Sequence, residues 1–157
     1  MLQGAALIKY ISLMLKMSGI IVALYLSYTT LFNEGALICG EGGGCHEVQE
    51  SEYSSVAGIP ISLLGLLMYL TLLGLHIPRI QYIHNRFFSL RVQLGKNIKI
   101  WSLFIATAGT IYSIYLTGIE AFVLEAWCIW CVASALIISI ILIFEIITIR
   151  IADNTSS

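Results

Sequence analysis

Four stretches of this chain, 11–32, 59–77, 98–116 and 127–149, each run for about 20 residues with almost no charged position. Most charged residues fall in the segments between them. At roughly 1.5 Å of rise per residue, each stretch is long enough as a helix to cross a hydrocarbon core about 30 Å thick. The pattern predicts an all-α integral membrane protein, a four-transmembrane-helix bundle forming a single membrane domain over 1–157, with an outer loop at 33–58 and a basic loop at 78–97. Pro60 is expected in the first turn of the second helix, where its missing N–H costs nothing, and Pro78 is expected to end that helix. Lys16, inside the first span, is expected to extend its ammonium towards the nearer surface. The first span is longer than the apolar core of a cleaved leader and no A-x-A site follows it, so it reads as a retained helix.

Composition sharpens this picture. The chain is 59% apolar and 11% charged, against about 25% charged in an average soluble chain. With a net charge of -1, this argues against a nucleic-acid binder, a secreted disulfide scaffold and a large soluble catalytic domain. The charges that remain are sorted by side. Lys9, Lys16, Arg79, Arg86, Arg91, Lys96, Lys99 and Arg150 fall on one side of the four spans, while loops 33–58 and 117–126 contain no Lys or Arg and hold Glu34, Glu41, Glu47, Glu50, Glu52, Glu120 and Glu125. Basic loops stay cytoplasmic, so both termini are expected inside and both acidic loops outside. The basic connection also carries Tyr82, Phe87 and Phe88 and would suit a short helix in the headgroup region, although its charges serve first as the topology signal. Glu145, one turn from Arg150, reads as a structural residue near the inner surface.

The candidate chemistry lies in four cysteines, all on the outer side. Cys39 and Cys45 form C-x5-C in the first outer loop, and Cys128 and Cys131 form C-x2-C at the mouth of the fourth helix. Pairs of cysteines on the oxidising side of a membrane point to disulfide chemistry. Cys128, at a helix start, sits where free N–H groups favour a thiolate. Cys131 is one turn deeper and better placed to meet an apolar oxidant. Four glycines separate Cys39 from Cys45, so that pair can swing between a soluble partner and the membrane pair, as exchange through a mixed disulfide requires. The expected relay runs from soluble thiols through the loop pair and the helix pair to an acceptor in lipid. A quinone suits it, because it takes up the two electrons and two protons that a dithiol releases. Three other readings compete: two structural disulfides, a zinc site on Cys39, Cys45, His46, Cys128 and Cys131, and a non-enzymatic membrane metal-binding or carrier protein using the same ligands. His46 reads as a solvated loop residue, and Trp127 and Trp130 as an interfacial aromatic belt.

The ordered set of Cys39-x5-Cys45, Ser51, Gly58-Ile59-Pro60-Ile61-Ser62 with Gly65, and Trp127-Cys128-Ile129-Trp130-Cys131 with Ser134 and Ala135 resembles the vitamin K epoxide reductase family over about residues 10 to 150. Prokaryotic members without a fused thioredoxin domain are the nearer pattern. The resemblance implies that Cys131 reacts with a quinone of the ubiquinone or menaquinone type and that Cys128 forms a transient disulfide with Cys45. It further implies that Cys39 exchanges with a separate thioredoxin-like (DsbA-like) protein and that Ser51 helps to orient the quinone. Animal members carry a tyrosine four residues after the second active-pair cysteine; Ala135 stands here, and plain quinone reduction is the expectation. The function implied is a thiol:quinone oxidoreductase of the multi-pass cell membrane, DsbB-like in outcome, with its cysteines on the extracytoplasmic face and no metal. It would support disulfide formation in exported proteins.

Overall fold

The computed structural model describes residues 2–32, 37–39, 44–84 and 89–154, with side chains over 7–32, 37–39, 44–76 and 97–151. The glycine run 40–43 and the side chains of the basic connection, including Arg79, Tyr82, Arg86, Phe87, Phe88, Arg91 and Lys96, lie outside the described residues. Five helices are described: α1 (Leu2–Phe32), α2 (Cys45–Glu50), α3 (Ile61–His84), α4 (Ser89–Phe122) and α5 (Ile129–Asn154). Three of them contain apolar segments long enough to cross a membrane, Leu7–Phe32, Asn97–Phe122 and Ile129–Ile151, and α3 adds a shorter apolar segment, Ile61–His76. The protein is a multi-pass membrane protein built as a four-helix bundle.

The bundle closes as a ring, with α1 against α3 and α5, and α4 against α5 and α3. Its outer surface is apolar: Leu7, Met14, Ile21, Leu24 and Phe32 on α1 all point away from the other helices, as lipid-facing residues do. Several hydroxyls in the helices are satisfied by carbonyls one turn back, as in Ser27 to Ala23, Thr110 to Ala106 and Ser139 to Ala135. Close approach depends on small residues. A Cβ on Gly19 would collide with the Tyr69 ring, and one on Gly109 with the Met68 sulfur. Tyr69 in turn donates its hydroxyl hydrogen to the Ser134 carbonyl at 2.9 Å, tying α3 to α5.

Three expectations are corrected. Pro78 does not end the second helix, for α3 runs through it to His84; an interior proline removes one ladder bond without forcing a stop when the following residues keep helical angles. Pro60 precedes α3 rather than opening it. It pairs with Ser55 in a small hairpin, β1 (Ser55–Val56) and β2 (Ile59–Pro60), whose two-residue turn has positive φ at both Ala57 and Gly58. Lys16 does not reach for the surface. It is fully buried, its Nζ 2.8 Å from Glu145 Oε1, 3.1 Å from His76 Nδ1 and 3.2 Å from Ser12 Oγ. Glu145 is likewise 1% exposed and faces Lys16 at the centre of the bundle. Two opposite charges that meet inside a low-dielectric interior need no route to water.

Along each of α1, α3 and α5, this polar cluster is separated from the cysteine end by apolar residues: Ala23, then Tyr69 and Leu72, then Ile138 and Ile141. These five form one buried core with Ala106 of α4.

Candidate functional site

At the other end of the bundle, the chain between α1 and α3 folds over the helices. Leu37 is buried, and the backbone of Ile38 is held on both sides: its N–H donates to Tyr25 Oη at 2.9 Å and its carbonyl accepts from Trp130 Nε1 at 2.9 Å. Tyr25 and Trp130 also pack ring to ring at 4.8 Å. Trp130 is therefore a clamp on the cysteine-bearing segment, a task beyond that of an interfacial belt residue. Then α2 lies across the mouth of the bundle, where Gln49 accepts from Thr30 Oγ1 at 2.9 Å. Gly44 makes its approach possible, since a Cβ there would lie 2.6 Å from Ala126 Cβ and 2.9 Å from Trp127 N.

That approach brings the two cysteine pairs together. Cys45 and Cys128 are fully buried in one cluster with Leu26 and Leu37, and Cys39 and Cys131 pack against it. All four are free thiols packed in one cluster, and they stand in file: Cys45 lies near enough to interact with Cys39 and Cys128, and Cys128 with Cys131. Among the described residues, no group of three or more His, Cys, Asp or Glu side chains is gathered as metal ligands would be.

Cys128 is the residue just before α5. Its carbonyl accepts from Val132 N–H at 3.0 Å and its sulfur accepts from Cys131 N–H at 3.4 Å, so the thiol takes the place of an N-cap oxygen. The Cys131 thiol and amide, both hydrogen-bonded to the sulfur, outweigh its burial and bring Cys128 down to about 7. Cys45 moves the other way. Burial, with added contributions from the neighbouring Cys39 and Cys128 thiols, pushes it up to about 12. Of the two facing sulfurs, Cys128 rather than Cys45 is the one that ionises near neutral pH.

Cys131 opens onto a cavity of about 510 Å³ between α1, α3, α4 and α5, roofed by Val48, Ser51, Tyr53 and Val56. The wall is mainly apolar, with Ala23, Leu26, Met68 and Ile105 among its residues. Ser51, singled out from sequence, lines it, and its hydroxyl hydrogen is donated to the Val48 carbonyl at 2.7 Å, closing α2. Ser62 also lines the cavity, and its Oγ is buried with no hydrogen-bond partner.

Sequence reading missed Glu120. Loop 117–126 was expected there, but α4 continues to Phe122 and turns the Glu120 carboxyl inward, 2% exposed, onto the cavity wall. Its Oε2 accepts from Cys128 N–H at 3.1 Å, and the carboxyl shares the cavity wall with Cys131, whose thiol is near enough to interact with it. The usable signal was spacing: Glu120 lies eight residues before Cys128, close enough for the short link after α4 to fold it back.

A family model described as the vitamin K epoxide reductase family matches residues 10–146. The chain belongs to that family, whose members are quinone-dependent thiol oxidoreductases of the membrane.

Proposed function

We propose that the protein oxidises the thiols of a thioredoxin-like protein, carried on a separate chain, and passes the electrons to a membrane quinone of the ubiquinone or menaquinone type. In this reading the cysteines face the extracytoplasmic side of the cell membrane, both termini face the cytoplasm, and the product is disulfide bonds for exported proteins. The observation that carries the reading is the file of four thiols ending on the wall of a mainly apolar cavity.

The cavity suits a quinone. Its volume falls within the range of about 300–1,000 Å³ usual for small-molecule sites, its wall is mostly hydrocarbon, and Ser62 Oγ is a buried hydroxyl in need of an acceptor. Ser62 would donate to a quinone carbonyl. Ser51, whose hydrogen is committed to Val48, would shape the roof instead. When bound, the quinone supplies an acceptor for two electrons and two protons.

The protein's own residues do the rest. Cys39, the half-buried member of the loop pair, exchanges with the partner's thiols, leaving Cys39 and Cys45 reduced. Cys45 attacks Cys128 of the Cys128–Cys131 disulfide. Cys128 is the better point of attack on two counts: it is the neighbour of Cys45, and the released sulfur, Cys131, is left at the cavity. Cys39 then resolves the mixed disulfide, which restores the loop disulfide and leaves Cys128 and Cys131 as a dithiol. Every step is a thiolate attack on a disulfide sulfur, so electrons balance at each exchange. The test is Cys131→Ser with its loop disulfide intact and no added reductant, where Cys128 attacks Cys45 and Cys39 leaves as a thiol, with quinol formation followed separately after reduced partner is added. The reading expects a trapped Cys45–Cys128 disulfide and no quinol; quinol formation at the wild-type rate would refute it.

A further inference from the structure

The quinone reading leaves unstated where the Cys131 proton goes. The cavity wall is short of candidates. Among the described lining residues there is no lysine, arginine or histidine, and the ionisable groups beside Cys131 are Tyr53, Tyr112 and Glu120. The polar cluster of Lys16, His76 and Glu145 is walled off by the apolar core of Ala23, Tyr69, Leu72, Ile138 and Ile141. Glu120 alone combines an acceptor oxygen, a contact with the reacting sulfur and a place on the cavity wall.

Its position is also fixed. The bond from Cys128 N–H to Glu120 Oε2 holds the carboxyl against the start of α5, and a second tie, from Ala126 N–H to the Glu120 carbonyl at 3.1 Å, folds the linker back onto α4. A carboxylate kept at 2% exposure could be replaced by an apolar residue if it served packing alone, because burying a charge is costly. A polar group held between a thiol and a ligand cavity is the arrangement that proton transfer requires.

We infer that Glu120 is the catalytic base that takes the proton of the Cys131 thiol and hands it to the reduced quinone. The inference rests on the quinone reading above. In the step, the Cys131 S–H bond breaks and its proton moves to a carboxylate oxygen of Glu120. The S–S bond between Cys128 and Cys131 forms, and its two electrons go to the quinone. Two protons complete the quinol, one from the Glu120 carboxyl and one from solvent, which replaces the proton that Cys128 has already released to it. Charge, atoms and electrons balance.

The experiment compares wild type with Glu120→Gln in detergent. One arm follows quinol formation by pre-reduced protein in a single turnover across pH. The other uses quinone-free protein carrying Cys131→Ser and measures how much Cys45–Cys128 disulfide is trapped. The expected result is a loss of quinol formation of about 100-fold near neutral pH, the lower range for a general base, that shrinks about tenfold per pH unit as hydroxide takes over, while the trapped fraction is unchanged. A loss below threefold, a loss that does not change with pH, or a fall in the trapped disulfide would each overturn the assignment, the last two by making Glu120 a structural support of Cys128. Failure of wild type itself to form quinol would instead sink the quinone reading.

Discussion

The Cys131 amide points at the Cys128 sulfur across 3.4 Å, so the two residues of the C-x2-C pair are joined by a backbone-to-thiol bond as well as by a thiol-to-thiol contact. This is what makes the pair unequal. A sulfur that receives two hydrogen bonds at a helix start is stabilised as an anion, and the residue that supplies them is its own partner.

A pH titration follows directly. Cys128 is held down to about 7 chiefly by the Cys131 thiol, so the reduced protein is expected to gain one thiolate between roughly pH 6 and 8. Cys45, pushed up to about 12 by burial, stays protonated throughout. The difference in thiolate ultraviolet absorbance between wild type and Cys128→Ser isolates the transition, and Cys131→Ala is expected to move it upwards. A midpoint near the ordinary thiol value of about 8.5 in the wild type would contradict the account.

Contact between the cysteine pairs depends on Gly44. A Cβ there meets Ala126 Cβ at 2.6 Å and backbone atoms at 2.9 Å, and backbone cannot step aside as a side-chain tip can. Gly44→Ala is expected to slow formation of the Cys45–Cys128 disulfide by roughly tenfold or more, as misplacement of reacting groups by an ångström does. Ala126→Gly added to it should recover part of the loss. An unchanged trapping rate for Gly44→Ala would show that the approach of α2 is not limiting.

In the other half of the bundle, Lys16 and Glu145 are expected to behave as a coupled pair. Either Lys16→Met or Glu145→Leu alone leaves a buried charge and should cost about 3–5 kcal/mol in thermal or denaturant unfolding. The double variant should return to wild-type stability or above. Losses that simply add would mean that the two charges do not interact.

Ser62→Ala should raise the KM for quinone by about two- to tenfold, the value of one hydrogen bond, because its hydroxyl has no protein partner. Ser51→Ala should affect KM less, since its hydrogen already serves Val48. The reverse order would move the quinone carbonyl to the roof.

Much of this was legible in the sequence, for identifiable reasons. Apolar runs of spanning length and the two cysteine pairs are local patterns, visible in the spacing of residues along the chain. What was hidden depends on contacts between distant segments. Lys16 and Glu145 are 129 residues apart, so each looked like a lone charge seeking the nearer surface. Glu120 and Glu125 are indistinguishable as acids in a basic-free segment, yet the extra turn of α4 buries the first and leaves the second exposed. Ser62 sits in an apolar helix where hydroxyls ordinarily bond one turn back; only the missing partner marks it. Trp130 showed its aromatic character in the sequence but not the Ile38 carbonyl that it binds.

The most direct test of the relay is a single-turnover measurement: pre-reduced protein in detergent is mixed with one equivalent of quinone, and the ultraviolet change from quinone to quinol is followed beside a count of free thiols. The account predicts one quinol for every two thiols lost, with Cys128 and Cys131 recovered as a disulfide and no reaction in Cys131→Ser. Thiols that stay reduced and accessible while the quinone spectrum does not change would contradict it.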